Sequence, residues 1–186
     1  MIFSYSDIIK IEKNERRARD AIASLKYIKI APGLYSDEAG KETFLSMVVK
    51  RYKNVTVTMQ TAFEYYDLTD FNYDKYTIAF PHGSRKVSDD RMKQFFIEKD
   101  IYDIGRIKIE KNGTCFYIYD KERMLIELIR NKKKLPYDYY KEVVNSYRSL
   151  LRDGKIDTRL LLKYAKGFKN GNNIIDKIME VISWLY

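Results

Sequence analysis

The segment Tyr117-Ile118-Tyr119-Asp120-Lys121-Glu122-Arg123-Met124-Leu125-Ile126-Glu127-Leu128-Ile129-Arg130 constrains this chain more than any other. Its first residues are apolar and aromatic, as a short strand requires, and the helical pattern begins without an intervening loop. Asp120 is placed to cap that helix, its carboxylate accepting the free amide protons of the first turn. Glu122 adds negative charge where the helix dipole favours it. Met124, Leu125, Leu128 and Ile129 recur at helical spacing and predict a buried stripe. Arg123 stands one turn before Glu127, so the two can pair, and Arg130 lies on the next turn. Strand-like segments precede this junction and helical ones follow it, which predicts an α+β fold ending in a bundle of helices.

Working back to the start, Ser4 to Ile11 reads as a short helix capped by Ser4 or Ser6, with Ile8, Ile9 and Ile11 as its apolar residues. Asn14 caps a second helix from Glu15, in which Ala18, Ala21, Ile22 and Leu25 form one stripe. The opposite face carries Arg16, Arg17, Arg19, Asp20 and Ala23. Only Lys10 to Asn14 separates the two helices, which is helix-turn-helix spacing. Tyr27–Ile30 and Leu34–Ser36 read as strands around Ala31-Pro32-Gly33, where Pro followed by Gly suits a type II turn. Two helices followed by a hairpin is the order of a winged helix-turn-helix. We therefore expect such a module over residues 1–38, a polar joint at Asp37–Lys41, and an α+β domain over 41–186.

Within the larger domain, Lys41–Tyr52 is expected to be helical. Thr56–Tyr66 suits either a helix or, through Val55, Val57 and its threonines, a strand. Strands are expected at Lys75–Phe80, Gln94–Glu98, Arg106–Ile109 and Cys115–Tyr119, with turns at Pro81-His82-Gly83 and Asn112-Gly113. Pro136 is expected at the first position of a helix carrying Tyr140, Val143, Val144, Tyr147, Leu150 and Leu151. Asp157 caps the next, with Leu160, Leu161, Tyr164 and Phe168. A last helix after Gly171 is expected to bury Ile174, Ile175, Ile178, Met179, Ile182 and Leu185.

The order of these elements resembles the AbiEi family, antitoxins of the type IV toxin–antitoxin systems that act in abortive phage infection. Three stretches carry the likeness: the Tyr5–Tyr35 module ending in Ala31-Pro32-Gly33-Leu34-Tyr35-Ser36, the segment Thr61-Ala62-Phe63-Glu64-Tyr65-Tyr66-Asp67-Leu68-Thr69-Asp70, and Tyr119-Asp120-Lys121-Glu122-Arg123 with its apolar helix. There are two departures. Family members usually carry a further helix ahead of the counterpart of Ser4–Ile11, and Lys121 stands where a proline is common. The resemblance implies a repressor of its own operon, bound to inverted repeats in double-stranded DNA. It further implies a C-terminal domain that counters a partner toxin of the nucleotidyltransferase class, in the cytoplasm and with no cofactor.

The residues supply their own candidates. A net charge of +9 on 186 residues suits an acidic partner, nucleic acid first, although it equally serves solubility. Arg16, Arg17 and Asp20 are placed to approach base edges, with Arg19 on the same face. Ser4, Ser6, Lys13, Asn14 and, on the hairpin, Lys29 would lie nearer the phosphates. In the larger domain the candidates are Arg123 and Glu127, read either as an interface pair or as an internal brace, and the basic run Arg130, Lys132, Lys133 and Lys134. That run has an ordinary explanation in the helix dipole.

Enzyme chemistry is not expected. Gly83-Ser84 ahead of Asp89-Asp90 superficially suggests a nucleotidyltransferase, but adjacent aspartates on a strand point to opposite faces and cannot share a metal pair. No phosphate-binding glycine loop is present, and one His with one Cys makes no zinc site. A protein-interaction module that no longer reads DNA is the alternative to the regulator. The apolar runs are far shorter than the roughly 20 residues of a membrane span, so no membrane association is expected.

Overall fold

A computed structural model describes residues 1–38, 43–52, 54–71, 73–111 and 114–183. Expectations at 39–42, the Asn112-Gly113 turn and Leu185 lie outside the described residues. The chain forms two compact units, one of Met1–Val55 with Lys108–Phe116 and one of Thr56–Ile107 with Tyr117–Tyr186. The first therefore runs past the joint expected at residues 37–41 and takes in the helix that follows it.

The first unit opens with a strand absent from the sequence reading, β1 (Ile2–Ser4), then α1 (Tyr5–Glu12) and α2 (Glu15–Ala23). Strands β2 (Ile28–Ala31) and β3 (Leu34–Ser36) follow, and then α3 (Phe44–Arg51). The strands make a three-stranded antiparallel sheet in the order β1-β3-β2, with Ile2 opposite Ser36 and Ala31 opposite Leu34. A strand of three residues surrounded by polar ones carries little periodic signal, and pairing with β3 is what defines it. Gly33 adopts φ +73, the left-handed conformation that the second central residue of a type II turn requires.

One core cluster of this unit is Ile8, Ala18, Ala21 and Tyr27, with Phe3, Ile9, Ile22 and Tyr35 packed against them; Ile2, Leu34, Val48, Val49 and Val55 are buried as well. Phe3 meets Tyr27 edge-on, with ring centroids 5.3 Å apart. Leu25, expected on the buried stripe of α2, is instead exposed, and so is Ile11 of α1. Ile11 falls in the last turn of α1, a residue ahead of the end, where the chain reverses at Lys13.

The second unit is built on a mixed sheet. β4 (Thr56–Val57) is followed by α4 (Met59–Tyr65), so the ambiguous segment Thr56–Tyr66 contains both a strand and a helix. Next come β5 (Tyr76–Pro81), β6 (Met92–Ile97) and the short α5 (Lys99–Tyr102). β7 (Arg106–Lys111) and β8 (Thr114–Tyr119), each divided between the two units, complete a five-stranded sheet in the order β6-β5-β4-β8-β7. β4 is antiparallel to β5 and parallel to β8, while β5 and β6 are parallel.

Four helices close the chain: α6 (Lys121–Arg130), α7 (Tyr137–Arg152), α8 (Thr158–Lys166) and α9 (Gly171–Ser183). Asp120 and Asp157 cap α6 and α8 as the sequence predicts. Pro136 is the cap residue of α7 rather than its first helical residue, and it contributes no side-chain hydrogen bond. Met179, placed in the core by spacing, is exposed, and Val181 is buried. The architecture is α+β.

α6 is covered on nearly every side, and Arg123 with Glu127 forms an internal brace rather than an interface pair. Every residue from Arg123 to Ile129 is buried, including both charged ones. Arg123 has no exposed surface, and its guanidinium is fully engaged. Nε and Nη2 donate to Glu127 Oε1 at 3.0 and 2.8 Å, while Nη1 donates to the carbonyls of Ile101 and Ile104 at 2.6 and 3.0 Å. Its central carbon lies 4.6 Å from the ring centroids of both Tyr119 and Phe168. The same Glu127 oxygen also takes Nη1 of Arg130 at 2.8 Å.

Gly105 makes this approach possible. A Cβ there would come within 2.4 Å of Arg123 Cβ, and its φ of +69 is one that side chains rarely adopt. Its carbonyl accepts the Asp120 amide at 2.7 Å, fixing the start of α6 against the α5–β7 turn. Burial pushes the Asp120 carboxyl up from its ordinary value, opposed by hydrogen bonds from the Arg123 amide and the Tyr164 hydroxyl.

Removing one member of a buried ion pair leaves the other uncompensated and costs about 3–5 kcal/mol. Arg123→Ala should lower stability in urea unfolding by about that much. Arg130→Ala, which touches the same carboxylate from a half-exposed position, should cost about 1 kcal/mol or less. Equal losses would refute the central place given to Arg123.

Candidate nucleic-acid interface

The exposed basic face of the first unit follows from how α1 and α2 are capped. Ser4 caps α1 in a reciprocal box: its hydroxyl oxygen accepts the Asp7 amide at 3.3 Å while its own amide donates to Asp7 Oδ2 at 2.8 Å, and its hydroxyl donates to the same oxygen at 2.6 Å. The Ser6 hydroxyl lies 2.8 Å from that of Ser4. Lys50 on α3 adds an ion pair to Asp7 at 3.0 Å. Two of the residues expected near phosphates are therefore tied into the cap, and only Ser6 of the pair is exposed. Asp7, which sequence reasoning passed over, is the centre of this group. The Ser-x-x-Asp spacing is the signal that would have found it.

Lys13 and Asn14 alone separate α1 from α2. Lys13 takes the left-handed conformation, φ 66, that ends α1. Asn14 begins α2 by accepting the Arg17 amide at 2.8 Å. This reversal presses Ala18 and Ala21 onto Ile8, which turns the other side of α2 to solvent. Arg16, Arg17, Arg19 and Asp20 are all exposed. Arg19 is drawn along the helix to Glu15 at 2.5 Å, whereas Arg16 has no ion-pair partner among the described residues. Glu12 is turned away from Arg16, taking Lys26 at 2.6 Å and the Tyr27 hydroxyl at 3.0 Å. Those two contacts, Lys26 first, hold its carboxyl below the usual range.

Lys29 is exposed on β2, opposite Tyr35. At the hairpin tip, Pro32 and Gly33 are exposed, and a Cβ on Gly33 would meet nothing within 4 Å. Arg51, from the last turn of α3, donates from Nη2 to the Pro32 carbonyl at 2.5 Å. Helix pair, hairpin and α3 thus present a surface on which Lys13, Arg16, Arg17 and Lys29 are exposed, none of them in a close ion pair among the described residues, although Arg17 lies near enough to Glu12 to help lower its carboxyl. A convex basic helix beside a β-turn suits a groove of duplex nucleic acid.

The second unit distributes its candidates differently. Arg123 and Glu127 are buried and offer no surface to a partner. Arg130 is half-exposed, split between Glu127 and the Phe168 ring 4.7 Å away. It borders a cleft whose other polar walls are Glu98, Asp100, Lys169, Asn170, Asn173 and Lys177, so charges of both signs meet there. Lys132, Lys133 and Lys134 occupy one exposed 3-10 turn, with the Lys132 ammonium 5.1 Å from the Tyr140 ring centroid. Asp89 binds its neighbour Arg91, from Nε at 3.0 Å and Nη2 at 2.8 Å. Its partner in the nucleotidyltransferase-like pattern, Asp90, is exposed on the turn before β6.

Comparison of the sequence with models of known protein families finds no match. A search among characterised proteins likewise finds no relative. Among the described residues, no helix is long and apolar enough to cross a membrane.

The Asp7 group makes a pH-dependent claim. Burial pushes its carboxyl up, but the Ser4 hydroxyl, the Ser4 amide and Lys50 outweigh that and bring it from 3.8 down to about 2. A carboxyl depressed in the folded state stabilises it above the unfolded value, and that contribution disappears as pH falls through the folded one. Asp7→Ala should therefore cost about 1 kcal/mol at pH 6, the usual worth of a cap. The difference from the parent protein should vanish between pH 4 and pH 2 in thermal unfolding.

Proposed function

We propose that this chain is a DNA-binding antitoxin that represses its own operon and counters a nucleotidyltransferase-type toxin in an abortive-infection system. The observation that carries the DNA-binding half is the solvent-facing set Arg16, Arg17 and Lys13 on a helix pair followed by a hairpin in one small unit. In this reading α1, α2, β2 and β3, with β1 on the far side of β3, are a winged helix-turn-helix in which α2 enters the major groove. Arg16 and Arg17 hydrogen-bond base edges, guanine being the usual target of arginine. Asp20 shares that face and disfavours phosphate nearby, which restricts the docking angle. Lys13, Ser6 and Lys29 contact the backbone on either side, and Asn14 orients the start of α2. Two protomers on inverted repeats would take one half-site each.

The antitoxin half rests on the resemblance carried by Tyr119–Arg123 and its apolar helix. With Arg123 and Glu127 inside the second unit, the exposed turn Lys132–Lys134 is the part of that region able to meet a partner. The protein performs no chemistry in this reading and acts in the cytoplasm, without a cofactor.

Duplex DNA from immediately upstream of the gene should be retarded by the full chain in a gel shift. The complex should weaken steeply with salt, because cations displaced from phosphates are released on binding. Arg16→Ala combined with Arg17→Ala should reduce sequence-selective affinity by at least 10-fold while leaving the thermal unfolding profile unchanged. Unaltered binding by that double variant would show that α2 is not the reading helix.

A further inference from the structure

Nothing in the hairpin itself supplies an arginine. From Tyr27 to Ser36 its only cation is Lys29, and Lys26 just ahead is paired with Glu12. The tip at Pro32-Gly33 is exposed and uncharged. A guanidinium nevertheless sits there, delivered from elsewhere in the chain: Arg51, exposed in the last turn of α3, is tethered through Nη2 to the Pro32 carbonyl at 2.5 Å. Its neighbour Lys50 points to Asp7 and is neutralised. Arg51 makes no other hydrogen bond or ion pair among the described residues.

That arrangement is unusual for a surface arginine with a structural task. A purely structural arginine is ordinarily satisfied by a carboxylate or by several carbonyls, as Arg123 is. Here one of five N–H donors is used and, among the described residues, no carboxylate compensates the charge, on an exposed side chain beside an exposed turn. The single bond restricts where the guanidinium can be, which lowers the entropy lost when it meets an anion.

We propose that Arg51 is a further DNA contact, a phosphate-binding cation at the hairpin tip that extends the α2 footprint along the duplex backbone. The inference rests on the reading of the first unit as a DNA-binding module. It adds α3, a helix outside the helix pair and hairpin, to the binding surface. A phosphate contact carries no sequence information, so Arg51 contributes equally to cognate and unrelated DNA. This separates its role from that of Arg16 and Arg17, whose loss falls on discrimination between sequences.

The test uses the full chain, with the upstream duplex and a duplex of unrelated sequence as probes, titrated at several salt concentrations. Arg51→Gln keeps a donor for the Pro32 carbonyl but removes the charge, and Arg51→Lys keeps the charge. Arg51→Gln should weaken binding to both duplexes by a similar factor, about 3- to 10-fold at low salt. It should also reduce the slope of log affinity against log salt by about one. Arg51→Lys should retain most of the affinity and the full slope.

If the parent protein shifts the upstream DNA and Arg51→Gln binds both duplexes with unchanged affinity and slope, the contact does not exist, although the reading of the module stands. A loss confined to the upstream duplex would also overturn a backbone role. Failure of the parent protein to bind either duplex would remove the DNA-binding reading itself, and this inference with it.

Discussion

A guanidinium withdrawn completely from water must replace every hydration contact it gives up, and in the second unit that requirement organises the structure around Arg123. Each of its nitrogens donates, to Glu127 or to the carbonyls of Ile101 and Ile104, and the rings of Tyr119 and Phe168 lie close by. Those partners come from α6 itself, from α5 and the turn after it, from the end of β8, and from the segment following α8. Such a pair is weak as a source of net stability, because desolvation offsets the attraction. Its value is geometric. Any arrangement that displaces one of these elements leaves a buried charge unpaired, so alternatives to the native packing are penalised heavily.

The close approach at Gly105 belongs to the same constraint. With a side chain at that position, the α5–β7 turn could not lie against the first turn of α6, and the Asp120 amide would lose its acceptor. Asp120 caps the helix with one oxygen and receives the Tyr164 hydroxyl at 3.0 Å with the other. The strand-to-helix junction is therefore held from both sides, by the turn ahead of β7 and by α8. Arg130 and the basic turn beyond it project from the end of a helix whose orientation is already fixed.

The first unit follows an opposite logic. The arginines of α2 face outward, because the opposite side of the helix carries the two alanines that pack on Ile8. Capping fixes the ends of its helices: Ser4 with Asp7, Asn14 with the Arg17 amide, and Lys50 reaching across to Asp7. Ser4 and Asn14 were both legible as caps from their type and position. The Ser4 hydroxyl is already donated to Asp7, whereas the Asn14 cap uses only its side-chain carbonyl oxygen and leaves the amide donors over. Arg51 was illegible. Nothing in the run Lys50-Arg51 distinguishes a helix-end cation from one lodged against a hairpin nineteen residues earlier.

By itself the sequence determined the local order of elements, because caps, turn residues and apolar spacing act over a few neighbouring positions. The Asp120 and Asp157 caps, the Pro32-Gly33 turn, the exposed arginine face of α2 and the helical C-terminal region all follow from it. Tertiary structure alone decided which charges are interior. Arg123 and Glu127 have the spacing of an ordinary surface pair, and only the packing of α5, α8 and the strand before α6 removes them from water. It likewise decided the pairing of β1 with β3 and the division of Thr56–Tyr66 into strand and helix. Burial depends on what distant segments cover, and no periodicity within a helix records that.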